Sequence, residues 1–309
     1  MWKKKADLIF SLVCLVVVAI VPLLVSSQYW RGVVIVAMYY CFVAWSWNLL
    51  SGFAGQFSLA PAAFAVLGGY VSGILANQGF PIPISIFCGV GMAFLVGLFL
   101  GRICLKMKGA YLALTTLGFS EILRITISNE YEITRGDLGL AVPPLHDTGQ
   151  LLLDYYVFWT ILVALHLAFY ILTKLPIGLY WQAIGEDEDA ARSRGVKVVR
   201  YKVIAFSISG AAAGLGGALY VHFVRLATPE IGMMLENGLV IAMCVIGGLG
   251  TLTGPIIGSF IVQVTSEYFR EIGVYHLIVF ALLIILIVRF FREGLAGLVI
   301  RFTKGISHG

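Results

Sequence analysis

Residues whose types could do chemistry are few in this 309-residue chain, and they gather at two places. The first is the run YLALTTLGFSEILRITIS, in which Thr116, Ser120, Arg124 and Ser128 recur at four-residue steps and Glu121 stands three before Arg124. On a helix that spacing makes one polar face, and Glu121 and Arg124 can partner each other on it. An ionisable residue inside an apolar span costs about 2.5–3.5 kcal/mol on insertion scales, so this face cannot point at lipid. It lines a polar route, meets another subunit, or neutralises itself near the outer membrane face. The second place is GLYWQAIGEDEDAARSRGVKVVRYK, Gly178 to Lys202, the one long charged insert between apolar runs. In it Asp189, Ala190, Ala191 and Gly195 form an acid-Ala-Ala-x-x-x-Gly pattern. Gly185 and Gly195 bracket a short helix, with Glu186, Asp187, Glu188 and Asp189 before Arg192 and Arg194, an order that suits the helix dipole. A polar helix held at a membrane face is a docking surface for a cytoplasmic partner.

Signals for catalysis are missing. No Gly is followed by Lys, so there is no phosphate-binding P-loop, and neither G-x-S-x-G nor H-E-x-x-H occurs. We therefore expect no catalytic residue, no metal and no cofactor in this chain. His166 and His222 stand singly on apolar runs and read as hydrogen-bonded core residues. Cys14, Cys41, Cys88, Cys104 and Cys244 all fall in apolar segments without paired spacing, which fits buried free thiols.

The elements that must position these residues are membrane helices. With 60% hydrophobic and 12% charged residues, the chain is too apolar for a soluble globular domain. Runs of about 20 apolar residues, the length that crosses a bilayer core, place spans at about 7–27, 32–50, 58–76, 82–101, 109–127, 153–173, 203–224, 237–250, 255–269 and 276–291. The start, MWKKKADLIFSLVCLVVVAIVPLLV, is the first of these rather than a signal peptide, because its apolar stretch is too long and lacks a small-x-small exit. The fold class is thus an all-α polytopic membrane protein of about ten spans, one domain over 1–309. Lys3, Lys4, Lys5, Arg102, Lys106, Lys108, the insert, Arg289, Arg292, Arg301 and Lys304 fall on one side, and Arg31, Arg135, Arg225 and Arg270 on the other. That asymmetry puts the loop at about 174–202 and both termini in the cytoplasm, and the loop at about 128–150 outside. The net charge of +5 follows this topology and is no nucleic-acid signature.

Three glycine-rich stretches interrupt the apolar pattern: Ser51 to Pro61, Ser209 to Leu219, and Gly247 to Gly258. Non-helical backbone at membrane depth survives only where protein or a wet cavity satisfies it. The first, with Gly52, Gly55, Gln56, Ser58 and Pro61, and the third, with Gly247, Gly248, Gly250, Gly254 and Pro255, look like broken or re-entrant segments near a pathway. Close helix packing is the alternative, since Gly97 and Gly101, Gly210 and Gly214, and Gly254 and Gly258 stand at small-xxx-small spacing. It is the preferred reading for Gly210 and Gly214 and stays open for the other two stretches.

Taken together these segments resemble a known family. NLLSGFAGQFSLAPAAFAVLGGY (Asn48 to Tyr70), YLALTTLGFSEILR (Tyr111 to Arg124), KVIAFSISGAAAGLGGAL and IGGLGTLTGPIIG are similar to segments of permeases of branched-chain amino acid ABC importers, of the LivM-like half. The insert resembles the EAA coupling loop of importers, with Asp189 in place of Glu. The resemblance implies the ABC importer permease fold and a bacterial or archaeal cytoplasmic membrane. It implies a second, paralogous permease chain, two ABC ATPase subunits that hold ATP and Mg, and an extracytoplasmic solute-binding protein. The sequence departs at Ala60-Pro61, where a small or Gly-His pair is usual, and in the outer loop ITRGDLGLAVPPL, where Arg135 and Asp137 add charge. Those departures leave the solute open between branched-chain or other hydrophobic amino acids and another small solute such as urea. The competing reading is a secondary transporter that couples ions through Glu121; the docking insert argues against it.

Overall fold

The computed structural model describes residues 2–104, 107–146, 150–270 and 294–297. Helices α1 (Trp2–Leu24), α2 (Gln28–Trp47), α3 (Pro61–Asn77), α4 (Ile82–Ile103), α5 (Ala110–Asn129), the single turn α6 (Tyr131–Thr134), α7 (Leu151–Lys174), α8 (Pro176–Glu186), α9 (Glu188–Ser193), α10 (Val198–Val224), α11 (Met234–Gly247) and α12 (Gly254–Phe269) follow in chain order. Prolines open α3, α4, α8 and α12 in their first turns, where the missing N–H leaves no intrahelical bond unmade. Among the described residues the strands are β1 (Leu140–Ala141) and β2 (Leu226–Ala227), paired antiparallel.

Helices α2 and α10 form the centre. Tyr39 to Trp47 and Ala205 to His222 carry the most deeply buried side chains of the bundle, with α3, α4, α7 and α12 packed around them. The stretch Ser209 to Leu219 is not an interruption. It is the middle of the continuous helix α10, and its small residues let neighbouring backbones touch. A Cβ at Gly217 would run into the Ala65 carbonyl of α3, and one at Gly210 into the Ala93 carbonyl of α4. Such contact replaces the hydrophobic drive that lipid cannot supply between helices. Outer faces of α1, α4 and α5 are apolar and exposed, including Phe87, Phe99, Leu114 and Ile122.

Six of the described helical segments are long and apolar enough to cross a membrane. Helices α3 with 17 residues, α11 with 14 and α12 with 16 fall short of the roughly 20 that a crossing needs. At 1.5 Å per residue, α11 covers only about 21 Å of a core about 30 Å thick. These short helices adjoin the glycine-rich breaks, so part of their path is non-helical backbone. The expected span at 276–291, with Arg289, Arg292, Arg301 and Lys304, lies outside the described residues. Helix α10 begins at Val198 rather than at 203 and absorbs the end of the charged insert. Two cysteines depart from expectation: Cys88 is exposed on α4 and Cys14 is only partly buried on α1, while Cys41, Cys104 and Cys244 are buried.

Candidate functional site

The charged insert folds as two helices, α8 and α9, hinged at Asp187. Asp187 is the N-cap of α9: its Oδ1 accepts from the backbone N–H of Asp189 at 2.9 Å and of Ala190 at 3.0 Å. These bonds satisfy two donors that a helix start leaves unpaired, and they hold the Asp187 carboxyl below the usual carboxylate range. Glu188 in the next position is nearly buried and holds Lys202 of α10, itself 2% exposed, at 2.6 Å. Its other oxygen takes Arg192 at 3.0 Å. Lys108, from the α4–α5 connection, reaches Asp189 at 3.2 Å. So α9 is tied to the bundle at both carboxylates.

The glycines and alanines of the pattern divide their work differently from the expectation. Gly195 follows α9 with φ +84° and open space around it, a left-handed stop that a glycine adopts without strain. Gly185 does not bracket the helix; it lies within α8 and meets the backbone of the first break. A Cβ on Gly55 (φ +64°) would stand 2.6 Å from the Gly185 Cα, and one on Gly185 would stand 3.0 Å from the Phe53 carbonyl oxygen. Ala191 faces inward and is 4% exposed, packed with Ile184 and Val198, so within this chain it anchors α9. Ala190, with Glu186, Asp189, Arg192 and Arg194, is exposed. Beside this element lies a cleft of about 680 Å³ lined by Arg102, Arg192, Lys197 and Arg200 with Val199 and Ile204.

The first and third glycine stretches are true breaks, and they meet each other. Helix α2 widens into a π-helical turn over Asn48–Phe53, a geometry that concentrates at functional sites. The Asn48 side chain accepts from Gly250 N–H at 2.8 Å and donates to the Thr251 carbonyl at 2.8 Å, clasping the α11–α12 break. Gly52 lies against Gly250. Asp7 of α1 closes the far side, accepting from Leu252 N–H at 2.7 Å, Thr253 N–H at 3.1 Å and the Thr253 hydroxyl. Pro255 and Gly254 open α12 there, and Gly247 and Gly248 end α11. Neither Asp7 nor Asn48 was singled out from sequence for this role. The usable signal was an acid inside the first apolar run, which must find donors.

The polar stripe of α5 serves the first break. Thr116 accepts from Leu59 N–H at 2.9 Å, and Asn237 of α11 accepts from Ala62 N–H at 3.0 Å, so side chains from two helices satisfy the donors around Pro61. Ser120 stands 3.5 Å from Asn237. Ser58 accepts from Ala60 N–H, and Gln56 is buried with one oxygen unpartnered. Glu121 and Arg124 do pair, with Glu121 accepting from Arg124 Nε and Nη2 at 2.9 Å, but their side chains remain 33% and 28% exposed. In this chain alone they sit at a surface. His166 bonds to Ser11, and His222 bonds to Ser72 and to the Pro143 carbonyl, as core histidines do. In the 128–150 loop, Arg135 takes a left-handed backbone beside Tyr131.

A helical bundle with six membrane-length helices among the described residues, two broken helices in mutual contact and a charged helical pair packed at one end has the architecture of a multi-pass membrane protein. A family model described as the permease component of the branched-chain amino acid transport system matches residues 30–288, and the chain belongs to that family. It is similar to the high-affinity branched-chain amino acid transport system permease protein LivM of Escherichia coli, 31% identical over 92% of this chain and 74% of that protein. The LivM protein of Salmonella typhimurium is 30% identical over 93% and 74%. The fructose import permease protein FrcC of Rhizobium meliloti is 27% identical over 70% of this chain and 63% of its own length. No solved structure matches the chain.

Proposed function

We propose that this chain is one of two permease subunits of an ATP-driven importer in a cytoplasmic membrane, and that α8–α9 is the element through which ATPase subunits drive it. ATP and Mg belong to those partners. A solute-binding protein delivers to the loop end that carries β1 and β2, and both termini lie in the cytoplasm. Branched-chain or other hydrophobic amino acids are the proposed solutes. The LivM relatives favour them, and the sugar permease among the relatives marks the alternative of another small solute.

The observation that carries this reading is the backbone contact between Gly185 of α8 and Gly55 of the first break. A push on α8–α9 is delivered there, without intervening side chains, to the segment that clasps the third break through Asn48. The runner-up, ion coupling through Glu121, finds that carboxylate already paired with Arg124.

Gly195 tests the reading, because among the described residues nothing stands within 4 Å of a Cβ placed there. Asparagine tolerates the left-handed backbone, so Gly195→Asn should transport and stimulate ATPase activity near the wild-type level. Gly195→Ala carries the left-handed strain of a side chain without its bulk, whereas Gly195→Trp adds the bulk as well and should cut transport and ATPase stimulation more than tenfold relative to Gly195→Ala while the chain still inserts. Normal ATP-dependent uptake by Gly195→Trp in vesicles would remove the docking role.

A further inference from the structure

Away from the coupling end, α2, α10, the turn Pro229–Gly232 and the first turn of α11 border a half-open cavity of about 270 Å³. Three aromatic rings and two carboxylates line it: Tyr39, Tyr40 and Tyr220, with Glu230 and Glu236. Tyr39 and Tyr220 stack at 4.2 Å between ring centroids, and Tyr40 lies 5.0 Å from Tyr39. The Tyr40 hydroxyl donates to Glu236 Oε2 at 2.9 Å, which fixes that carboxylate and leaves its second oxygen free. Tyr39 is 3% exposed. Among the described residues no lysine or arginine lines it.

Each feature selects for positive charge. Ring faces attract cations, most strongly where water is thin, and an unpaired carboxylate oxygen makes a charge-assisted bond with an N–H donor. A divalent metal is disfavoured, since no group of three His, Cys, Asp or Glu side chains that could hold one occurs among the described residues. The volume is below the roughly 300 Å³ at which pockets for drug-sized molecules begin, so the ligand is small. From this geometry we infer that the cavity of Tyr39, Tyr40, Tyr220, Glu230 and Glu236 binds the primary ammonium group of a small organic solute, with Val224, Leu226 and Ile231 receiving its apolar part.

The inference deepens the transport reading and rests on it for its biological use, but the binding itself needs no ATP. Ligand-observed NMR on the full chain in detergent at neutral pH tests it with three probes of one shape: isoamylammonium, isoamyl alcohol and isocaproate. We expect the ammonium probe alone to bind at millimolar concentration. Glu236→Gln should weaken it about tenfold or more, the equivalent of losing one charge-assisted bond. Glu230→Gln, at an exposed rim position that cannot unfold the core, should weaken it by about threefold. Binding of the alcohol equal to that of the ammonium, or ammonium binding unchanged in both variants, would overturn the site. ATP dependence of uptake by the assembled transporter is measured separately. Uptake that needs no ATP, with ammonium binding intact, removes the importer and keeps the site. ATP-driven uptake without ammonium binding does the reverse.

Discussion

At the scale of single residues, Glu188 and Lys202 form an ion pair that is almost fully withdrawn from solvent. The lysine is almost fully enclosed and its ammonium is met by one carboxylate oxygen at 2.6 Å. Breaking a buried pair from one side leaves the other charge stranded, at a cost of about 3–5 kcal/mol, whereas removing both can be close to neutral. Glu188→Gln should therefore lower the melting temperature of the purified chain more than the double change Glu188→Gln with Lys202→Met. A single variant as stable as the double would show that Lys202 reaches water. Asp187 behaves differently, since it is exposed and its stabilising role is a cap. Its pKa is lowered in the folded chain, chiefly by the N–H groups of Ala190 and Asp189. The stabilisation is hence fully present above the ordinary carboxylate value of about 3.9 and is lost as pH falls through the lower folded value. Amide exchange at Asp189 and Ala190, corrected for intrinsic rate, should rise below that range in the wild type and stay flat in Asp187→Asn, which caps without titrating.

The helix contacts of α10 depend on missing side chains. Gly217 faces the Ala65 carbonyl of α3 so closely that a single methyl has no room, and backbone there cannot yield as a flexible side chain would. Gly118 of α5, by contrast, has nothing within 4 Å. Gly217→Ala should sharply reduce folded, membrane-inserted chain, while Gly118→Ala should be neutral or slightly stabilising, since alanine favours a helix interior by about 0.5–1 kcal/mol. Fluorescence-detected size exclusion of the two variants measures this. A monodisperse, fully stable Gly217→Ala would mean that α3 and α10 pack more loosely than the geometry requires.

For the molecule as a whole, two ends are defined by long-range contacts. Lys108 with Asp189 gathers the α4–α5 connection to the α8–α9 end, and β1 with β2 joins the loops after α5 and α10 at another. Under the proposed orientation, a cysteine at Ser193 should label only from the cytoplasmic side and one at Leu138, an exposed position, only from outside. Labelling of both from the same side would invalidate the orientation. The breaks connect these ends: α8 touches the first break, the first clasps the third, and α1 closes the third through Asp7. Under the proposed coupling role, the α8–α9 pair is thus linked to four helices through backbone and short polar side chains, in an interior packed too densely to leave much slack.

Membrane character, the long helices and the charged insert were legible in the sequence, because lipid demands apolar runs of fixed length and leaves polar stretches only the water phase. The pairing of Glu121 with Arg124 was legible for the same kind of reason, being local to one helix. Bounds near the breaks were not: hydropathy counts apolar residues whether or not they are helical, so the span at 58–76 took in non-helical residues before Pro61 and the span at 237–250 ran past the end of α11 at Gly247. Nor could spacing show that Ser209 to Leu219 stays helical while Ser51 to Pro61 does not. Glycine permits either state, and the choice lies with what stands opposite, a flat neighbouring backbone for the one and the side chains of Thr116, Asn237 and Asn48 for the other. Inward Ala191, the grip of Asp7 on Thr253 and the tyrosine cavity all join residues far apart in the chain. Only the packed bundle brings them together, since each polar group in a water-poor interior must take whichever partner the helix crossings place within reach.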